Sequence, residues 1–290
     1  MRFRRILAIS VVGILLSISL YSSFAAAGSV SVSPLRREIE LKPGQTSTGT
    51  FRVRNTGQKP ATFELSAETF NVINENYDYE FAQAQDLPKW ITFKEPSAVI
   101  EPNKSHNFNY TASVPLDAEG GAKYIVIFAS TTPVKQSNTI TSIERAGMLS
   151  YINVPGNGNN RRGELLDLIL PKFTIHKNVE WNMRIQGSGN AHFRSPVNVK
   201  VRDLFGRNIS STNANHLIMP KSTRSLHDKI SFGWLPGIYC INFSIGRGDN
   251  TTAYKTKLIV YMPPVPTALI SIVILTGGVV LYRLKRNKRL

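Results

Sequence analysis

The chain has 290 residues, 35 lysines and arginines, 19 aspartates and glutamates, five histidines and one cysteine. A lone cysteine excludes an internal disulfide, so stability has to come from packing, in domains of about a hundred residues rather than small stapled ones. The formal charge of +16 belongs partly to the two ends, where three arginines open the chain and five basic residues stand near its last position.

The basic start Met1-Arg2-Phe3-Arg4-Arg5 runs into the uncharged stretch Ile6 to Leu20 and then into Ala25-Ala26-Ala27. This is the pattern of a secretory signal peptide over 1–27, cleaved after Ala27. Beyond it the sequence reads as strand after strand. Thr50-Phe51-Arg52-Val53-Arg54 and Thr62-Phe63-Glu64-Leu65-Ser66 alternate apolar with polar residues. Between them Asn55-Thr56-Gly57-Gln58-Lys59-Pro60 supplies turn chemistry. His106 to Val114 alternates again and stops at Pro115. Ala122 to Ala129 is a continuous apolar run, as expected of a buried strand, and Gly147 to Val154 closes the set. Short strands at this spacing predict a β-sandwich over 28–156.

Gly156 to Gly163 contains no apolar residue, and 157–163 is read as a linker. A second set of strands follows over 164–262. Val197 to Asp203 alternates cleanly into a turn at Leu204–Asn208, and Trp234-Leu235-Pro236-Gly237 leads into a strand through Ile245. Cys240 lies in that strand and reads as a buried small residue rather than a nucleophile. The Asn55-Thr56-Gly57 turn and the Gly187-Ser188-Gly189-Asn190 turn hint at one sandwich topology repeated, or at two unrelated hairpins. The expected fold class is therefore all-β: two tandem sandwiches. A transmembrane helix over 263–282 follows, since about 20 apolar residues cross a ~30 Å hydrocarbon core. Arg283, Lys285, Arg286, Lys288 and Arg289 over 283–290 then mark the cytoplasmic side.

The two halves differ in charge. Residues 28–156 carry 12 basic and 13 acidic side chains, and 157–264 carry 15 and 6. The basic excess outside the membrane thus belongs to the membrane-proximal half. It suits lipid headgroups or acidic wall polymer, or simply keeps the domain soluble. Nucleic acid is not an expected partner of an exported domain.

Catalytic patterns are missing. The five histidines show no H-x-x-H or H-x-x-x-H spacing, and no nucleophile elbow, P-loop or S-x-x-K element stands in the mature part. No metal, cofactor or catalytic residue is expected, and the chain is read as a non-enzyme. His192, just after the Gly189-Asn190 turn, is expected to hydrogen-bond a loop. Tyr77-Asp78-Tyr79-Glu80 interleaves aromatics with carboxylates. That suits stacking on a glycan or a partner, or an edge hairpin with aromatic packing, which is the commoner use. Arg247-Gly248-Asp249 matches an integrin-type tripeptide, but turn chemistry explains it as well.

The stretches SVSPLRREIELKPGQTSTGTFRVRNTGQKPATFELS from Ser31, PKWITFKEPSAVIEPNKSHNFNYTASVP, DAEGGAKYIVIFAS, IQGSGNAHFRSPVNVKVRDLFGRNI and WLPGIYCINFSI resemble bacterial surface immunoglobulin-like domains. The order of signal, two sandwiches, helix and basic tail is similar to the WxL-interacting proteins of Gram-positive envelopes. That resemblance implies a first domain associated with peptidoglycan and a second with a surface-protein partner, and it carries over no ligand-contacting residue. Two tandem sandwiches also resemble periplasmic pilus chaperones. The expected function is a membrane-anchored envelope scaffold outside the cytoplasm that binds wall polymer or a surface protein. A membrane-tethered chaperone for exported proteins is the alternative, and a wall hydrolase the weaker one.

Overall fold

The structure is a computed structural model that describes residues 30–83, 86–132, 143–156 and 159–287. Ala27, Lys288 and Arg289 lie outside the described residues.

Among the described residues, ten strands build the first sandwich. In chain order they are β1 (Val30–Ser33), β2 (Arg36–Glu40), β3 (Thr46–Asn55), β4 (Ala61–Val72), β5 (Tyr79–Ala82), β6 (Ile91–Phe93), β7 (Ser97–Ile100), β8 (Ser105–Ser113), β9 (Gly121–Thr131) and β10 (Arg145–Val154). One sheet has the order β1-β3-β8-β6. The other runs β2-β10-β9-β4-β5, with β7 also on β4. Period-2 alternation places the core. In β3 Phe51 and Val53 are fully buried while Arg52 and Arg54 face water, because successive side chains leave a strand on opposite faces. Phe51, Phe63, Phe108, Ile125, Ile127, Met148 and Ile152 fill the space between the sheets. Truncating any of the three phenylalanines to alanine is expected to cost about 3–5 kcal/mol. The turn read at Asn55 is built by its side chain. The amide donates to Lys59 O and Ile100 O, both at 2.8 Å, and Oδ1 accepts the Gly57 N–H at 2.8 Å.

β9 departs from simple alternation. Ile125, Ile127 and Ala129 enter the core, yet Val126 and Phe128 on the opposite face are also buried. A strand buried on both faces needs a second layer outside its sheet. The second sandwich provides it.

That sandwich comprises β11 (Gly163–Ile169), β12 (Phe173–Thr174), β13 (Asn178–Gly187), β14 (Phe193–Asp203), β15 (Asn208–Ile218), β16 (Thr223–Ser231), β17 (Gly237–Gly246) and β18 (Thr252–Tyr261). Its sheets are β11-β13-β16 and β12-β18-β17-β14-β15. Trp181, Met183, Val199, Ile241 and Phe243 are central to its core, with the Trp181 and Phe243 rings edge to face at 5.6 Å. Gly163, placed in the linker by sequence, opens β11 opposite Gly187. Cys240 is half-buried rather than buried, because the period of β17 puts it on the outer face between Tyr239 and Ile241, which enter the core.

Only Met262 and Pro263 separate β18 from helix α1 (Pro264–Asn287), the one helix among the described residues that is long and apolar enough to cross a membrane. Pro264 and Pro266 fall in its first turn, where a missing N–H costs nothing. The helix backbone continues past Arg283 and Lys285 to Asn287.

Candidate functional site

Two features of the first sandwich stand out: its mated outer face and an unmated stretch of sheet edge beside it.

The mated face is the junction with the second sandwich. Phe70, Val126, Phe128 and Tyr151 from the first pack with Leu217 and Met219 from the second, around Tyr77. The loop joining β4 to β5 delivers Tyr77. Asn74 Oδ1 accepts the N–H groups of Asn76 at 3.0 Å and Asp78 at 3.1 Å, an Asx-type closure that asparagine favours. The loop thereby holds Tyr77 at φ +66°, a left-handed conformation uncommon for a non-glycine residue. Tyr77 Oη accepts the Met219 N–H at 2.8 Å and lies 3.0 Å from Ser222 Oγ. Ser222 donates to Met219 O at 2.9 Å, so the tyrosine proton goes to Ser222. The Arg224 guanidinium covers the Tyr77 ring at 4.5 Å. Burial pushes the Tyr77 hydroxyl above its ordinary range. Around this ring the junction is riveted by backbone and charge. Ser225 N donates to Glu75 O at 2.9 Å, Ala122 N to Asn190 O at 3.0 Å, and Arg184 grips Glu75 with two nitrogens. On the other flank Arg194 grips Glu38 in the same way, and Arg161 donates to Glu40 at 2.7 Å.

The sequence-read segment therefore splits. Tyr77 is buried and Tyr79 is half-buried, its hydroxyl 3.2 Å from that of Tyr151. Asp78 and Glu80 face water, and Asp78 accepts from Asn74 Nδ2 at 2.7 Å. Arg224 lies on the Tyr77 ring, and the Tyr79 ring stands edge to face with Phe70 at 5.4 Å. His192 also differs from expectation. It is buried against the Tyr124 and Tyr151 rings, and its Nδ1 makes no hydrogen bond to a described group. Burial is the main cause that lowers its pKa to about 4, with Arg161 and Arg194 adding to it and Glu38 opposing. Arg247 is tied to the start of β11, donating from Nε to Gly163 O at 2.9 Å, and Asp249 accepts from Thr251. The tripeptide is thus a structural turn.

Open grooves flank the junction. One of about 530 Å³ runs along Phe70, Val72, Tyr124, Met219 and Lys221. Another of about 340 Å³ lies between Glu38, Glu40, Asn153, Arg161, His192 and Arg194. In the second groove each arginine is paired with a carboxylate, so its charges neutralise one another. No group of three or more histidine, cysteine, aspartate or glutamate side chains among the described residues is placed to hold a metal.

The unmated feature is the edge of β10. On one side β10 pairs with β9 along its whole length. On the other, the parallel strand β2 covers only Leu149 to Asn153. Arg145 to Met148 have no partner strand there among the described residues. Leu149 N donates to Leu35 O and Leu41 N to Asn153 O, so odd-numbered residues of β10 present their polar backbone groups to this side. By that alternation the N–H and C=O of Arg145 and Gly147 point outward. The Arg145 side chain is folded back over the Phe128 ring at 4.2 Å and donates to the buried Glu68 at 3.0 Å. Leu35, 69 % exposed, and Ile143, 59 % exposed, stand at its two ends. Sequence reasoning missed this stretch, because an unpaired edge is a property of which strand lies beside it.

Comparisons with known proteins add the following. No family model matches the chain, and no curated protein matches it. Among solved structures, the class 5 fimbriae chaperone CfaA is 9 % identical and aligns over 80 % of this chain and all of its own, with a TM-score of 0.40. The CsuC–CsuE chaperone–tip adhesin subunit complex of Acinetobacter baumannii is 12 % identical over 80 % of this chain and 99 % of that one, with a TM-score of 0.39. A Porphyromonas gingivalis protein of unknown function is 13 % identical over 80 % and 100 %, with a TM-score of 0.32. These are loose likenesses between two-sandwich proteins. The resemblance to WxL-interacting proteins stays with the sequence phrases alone.

Proposed function

We propose that the chain is a membrane-held, extracytoplasmic binding protein that takes an extended segment of an exported or surface protein as an added strand on β10. The observation that carries this reading is the half-edge from Arg145 to Met148, about 13 Å of strand, which has no partner strand among the described residues and is set between exposed Leu35 and Ile143. Strand addition draws affinity from main-chain hydrogen bonds and selectivity from alternate side chains. A segment laid there continues the row begun by β2 and places apolar side chains on Leu35 and Ile143.

Several of the other edges differ from it. β2 and β16 carry charges along their length, and β11 has a bulge between Leu165 and Asp167. β18 presents Lys255 and Lys257 at positions in phase with its core-facing Ile259, and β6 is only three residues long. These are the devices by which sheets refuse an extra strand. β15 carries no Lys, Arg, Asp or Glu, but Ser210 and Arg224 bridge its ends to β16 or its flank, at Ser231 O and Leu217 O. The role is non-catalytic in this reading, and wall polymer is the competing ligand.

The test places a photo-crosslinking side chain at Ile143 in the full chain in its own cells. An adduct with an exported protein is expected. Arg145→Pro, which removes an outward N–H without touching the β9 ladder, should abolish it, whereas Arg145→Ala should retain it. Protease resistance of each variant checks its fold. An adduct that survives Arg145→Pro rules out strand addition, and an adduct dissolved by a muramidase puts wall polymer in the partner's place.

A further inference from the structure

The two ends of the second sandwich are chemically opposite. The end joined to the first sandwich is made by the β13–β14, β15–β16 and β17–β18 turns, which carry Ser188, Asn190, Lys221 and Asp249 and no exposed large apolar side chain. At the opposite end the strand registers bring together the β14–β15 turn, the β16–β17 connection and β12. Asp203 lies opposite Tyr239, Gly237 opposite Tyr261, and Phe173 opposite Val260. These three segments expose Leu204 and Phe205, Trp234, and Phe173 with Ile175. Phe205 is 85 % exposed and Trp234 71 %. None of the five enters the sandwich core.

β18 also ends here, and only Met262 and Pro263 stand between Tyr261 and α1. Two residues span at most about 7 Å, so this end of the domain cannot be lifted away from the point where α1 begins. The flanking charges agree. Lys172 and Lys177 bracket Phe173 and Ile175, both are exposed, and neither forms an ion pair with a described residue. Aromatic and apolar side chains ringed by lysines are what a membrane–water interface accommodates, with rings at headgroup depth and ammonium groups in the phosphate layer. Solvent exposure of so many apolar groups in one patch otherwise marks a surface that is normally covered.

We infer that this end of the second sandwich is a membrane-interface foot: Phe173, Ile175, Leu204, Phe205 and Trp234 enter the headgroup layer around α1 and fix the domain on the bilayer. The inference rests on the membrane-held reading above and adds a docked orientation to it. The foot makes the ectodomain a seated body rather than one swinging on a tether.

The experiment uses the full chain in lipid nanodiscs whose acyl chains are brominated close to the headgroup. Of the three tryptophans, Trp181 is buried in the core and Trp90 belongs to the first sandwich. The Trp234 share of the emission is therefore expected to be quenched, about a third of the total if the three emit alike. Trp234→Phe should remove the bromine-dependent part, and Leu204→Ser with Phe205→Ser should weaken it. A chain that stays with the nanodisc but shows no bromine-dependent loss overturns the foot and leaves the anchor standing. A chain that does not stay with the nanodisc overturns both.

Discussion

At one end of the second sandwich apolar groups are enclosed by protein, and at the other they are held out to the surroundings. Met219 and Leu217 disappear beneath Tyr77 and Phe70, while Phe205 and Trp234 touch nothing in the core. The comparison separates apolar residues that hold the fold from apolar residues that the fold displays. Burial of an aromatic ring within the molecule stabilises it by several kcal/mol, and an exposed ring adds almost nothing until a second phase covers it.

The sharpest way to break the comparison is Tyr77→Ala. It removes a buried ring together with the hydrogen bonds to Met219 and Ser222, so a loss of about 3–5 kcal/mol is expected, seen as a lower denaturation midpoint of the full chain in micelles. A protein whose midpoint stayed put would mean that the two sandwiches do not depend on this contact.

The next effect depends on pH. The pKa of His192 is lowered to about 4 in the folded state, below an ordinary value near 6.5. Protons therefore bind more readily to the undocked state. The stability that the neutral imidazole contributes is complete above about pH 6.5. It falls as pH drops from there to about 4, by about 3 kcal/mol in all, and changes no further below that. Glu38, Arg161, Arg194, Tyr124 and Tyr151 surround the ring. Glu40, whose pKa is lowered mainly by its hydrogen bond from Asn153, adds its own loss only in the carboxylate range. A His192→Gln variant should flatten a plot of melting temperature against pH between 6.5 and 4. A slope unchanged by the substitution would assign the effect to other groups.

Tyr77→Phe keeps the ring and deletes the hydroxyl, leaving the Met219 N–H without its acceptor. A loss of about 1–2 kcal/mol is expected in the same denaturation assay. The smallest effect belongs to the other end. Phe205→Ser and Trp234→Ser should each move the midpoint in micelles by no more than about 0.5 kcal/mol. A large drop there would show that these side chains support the fold after all, and the contrast between the ends would collapse.

Most of the architecture was legible because alternation is a local signal. Phe51-Arg52-Val53-Arg54 announces its inward face without reference to any other strand, and the apolar run before the final cations announces α1. The apolar run Ala122 to Ala129 announces a buried strand but not what covers each of its faces. The outer layer over this strand joins Phe81 and Arg145, which lie on Phe128, to Leu217 and Met219, about 90 positions away in sequence. Tyr77 and Tyr79 were singled out for their interleaving with carboxylates, and the tyrosines turned inward because the Asn74 closure fixes the loop. His192 reads as a loop residue because it follows the Gly189-Asn190 turn, whereas its neighbours in space are rings. The free half of β10 follows from β2 being five residues long against ten.

The two-residue connection between β18 and α1 also sets a height. In the membrane-held reading, β17 and β18 span from the membrane end to the junction in ten residues each, about 34 Å of strand. With the connection too short to add reach, the second sandwich works as a stanchion. The Arg145–Met148 edge sits on the domain above it and is carried no nearer the lipid than that column allows. Whatever that edge holds would be met at a set storey of the envelope, and lengthening the Met262–Pro263 segment with a flexible insert would let it meet partners at every level within reach of the tether.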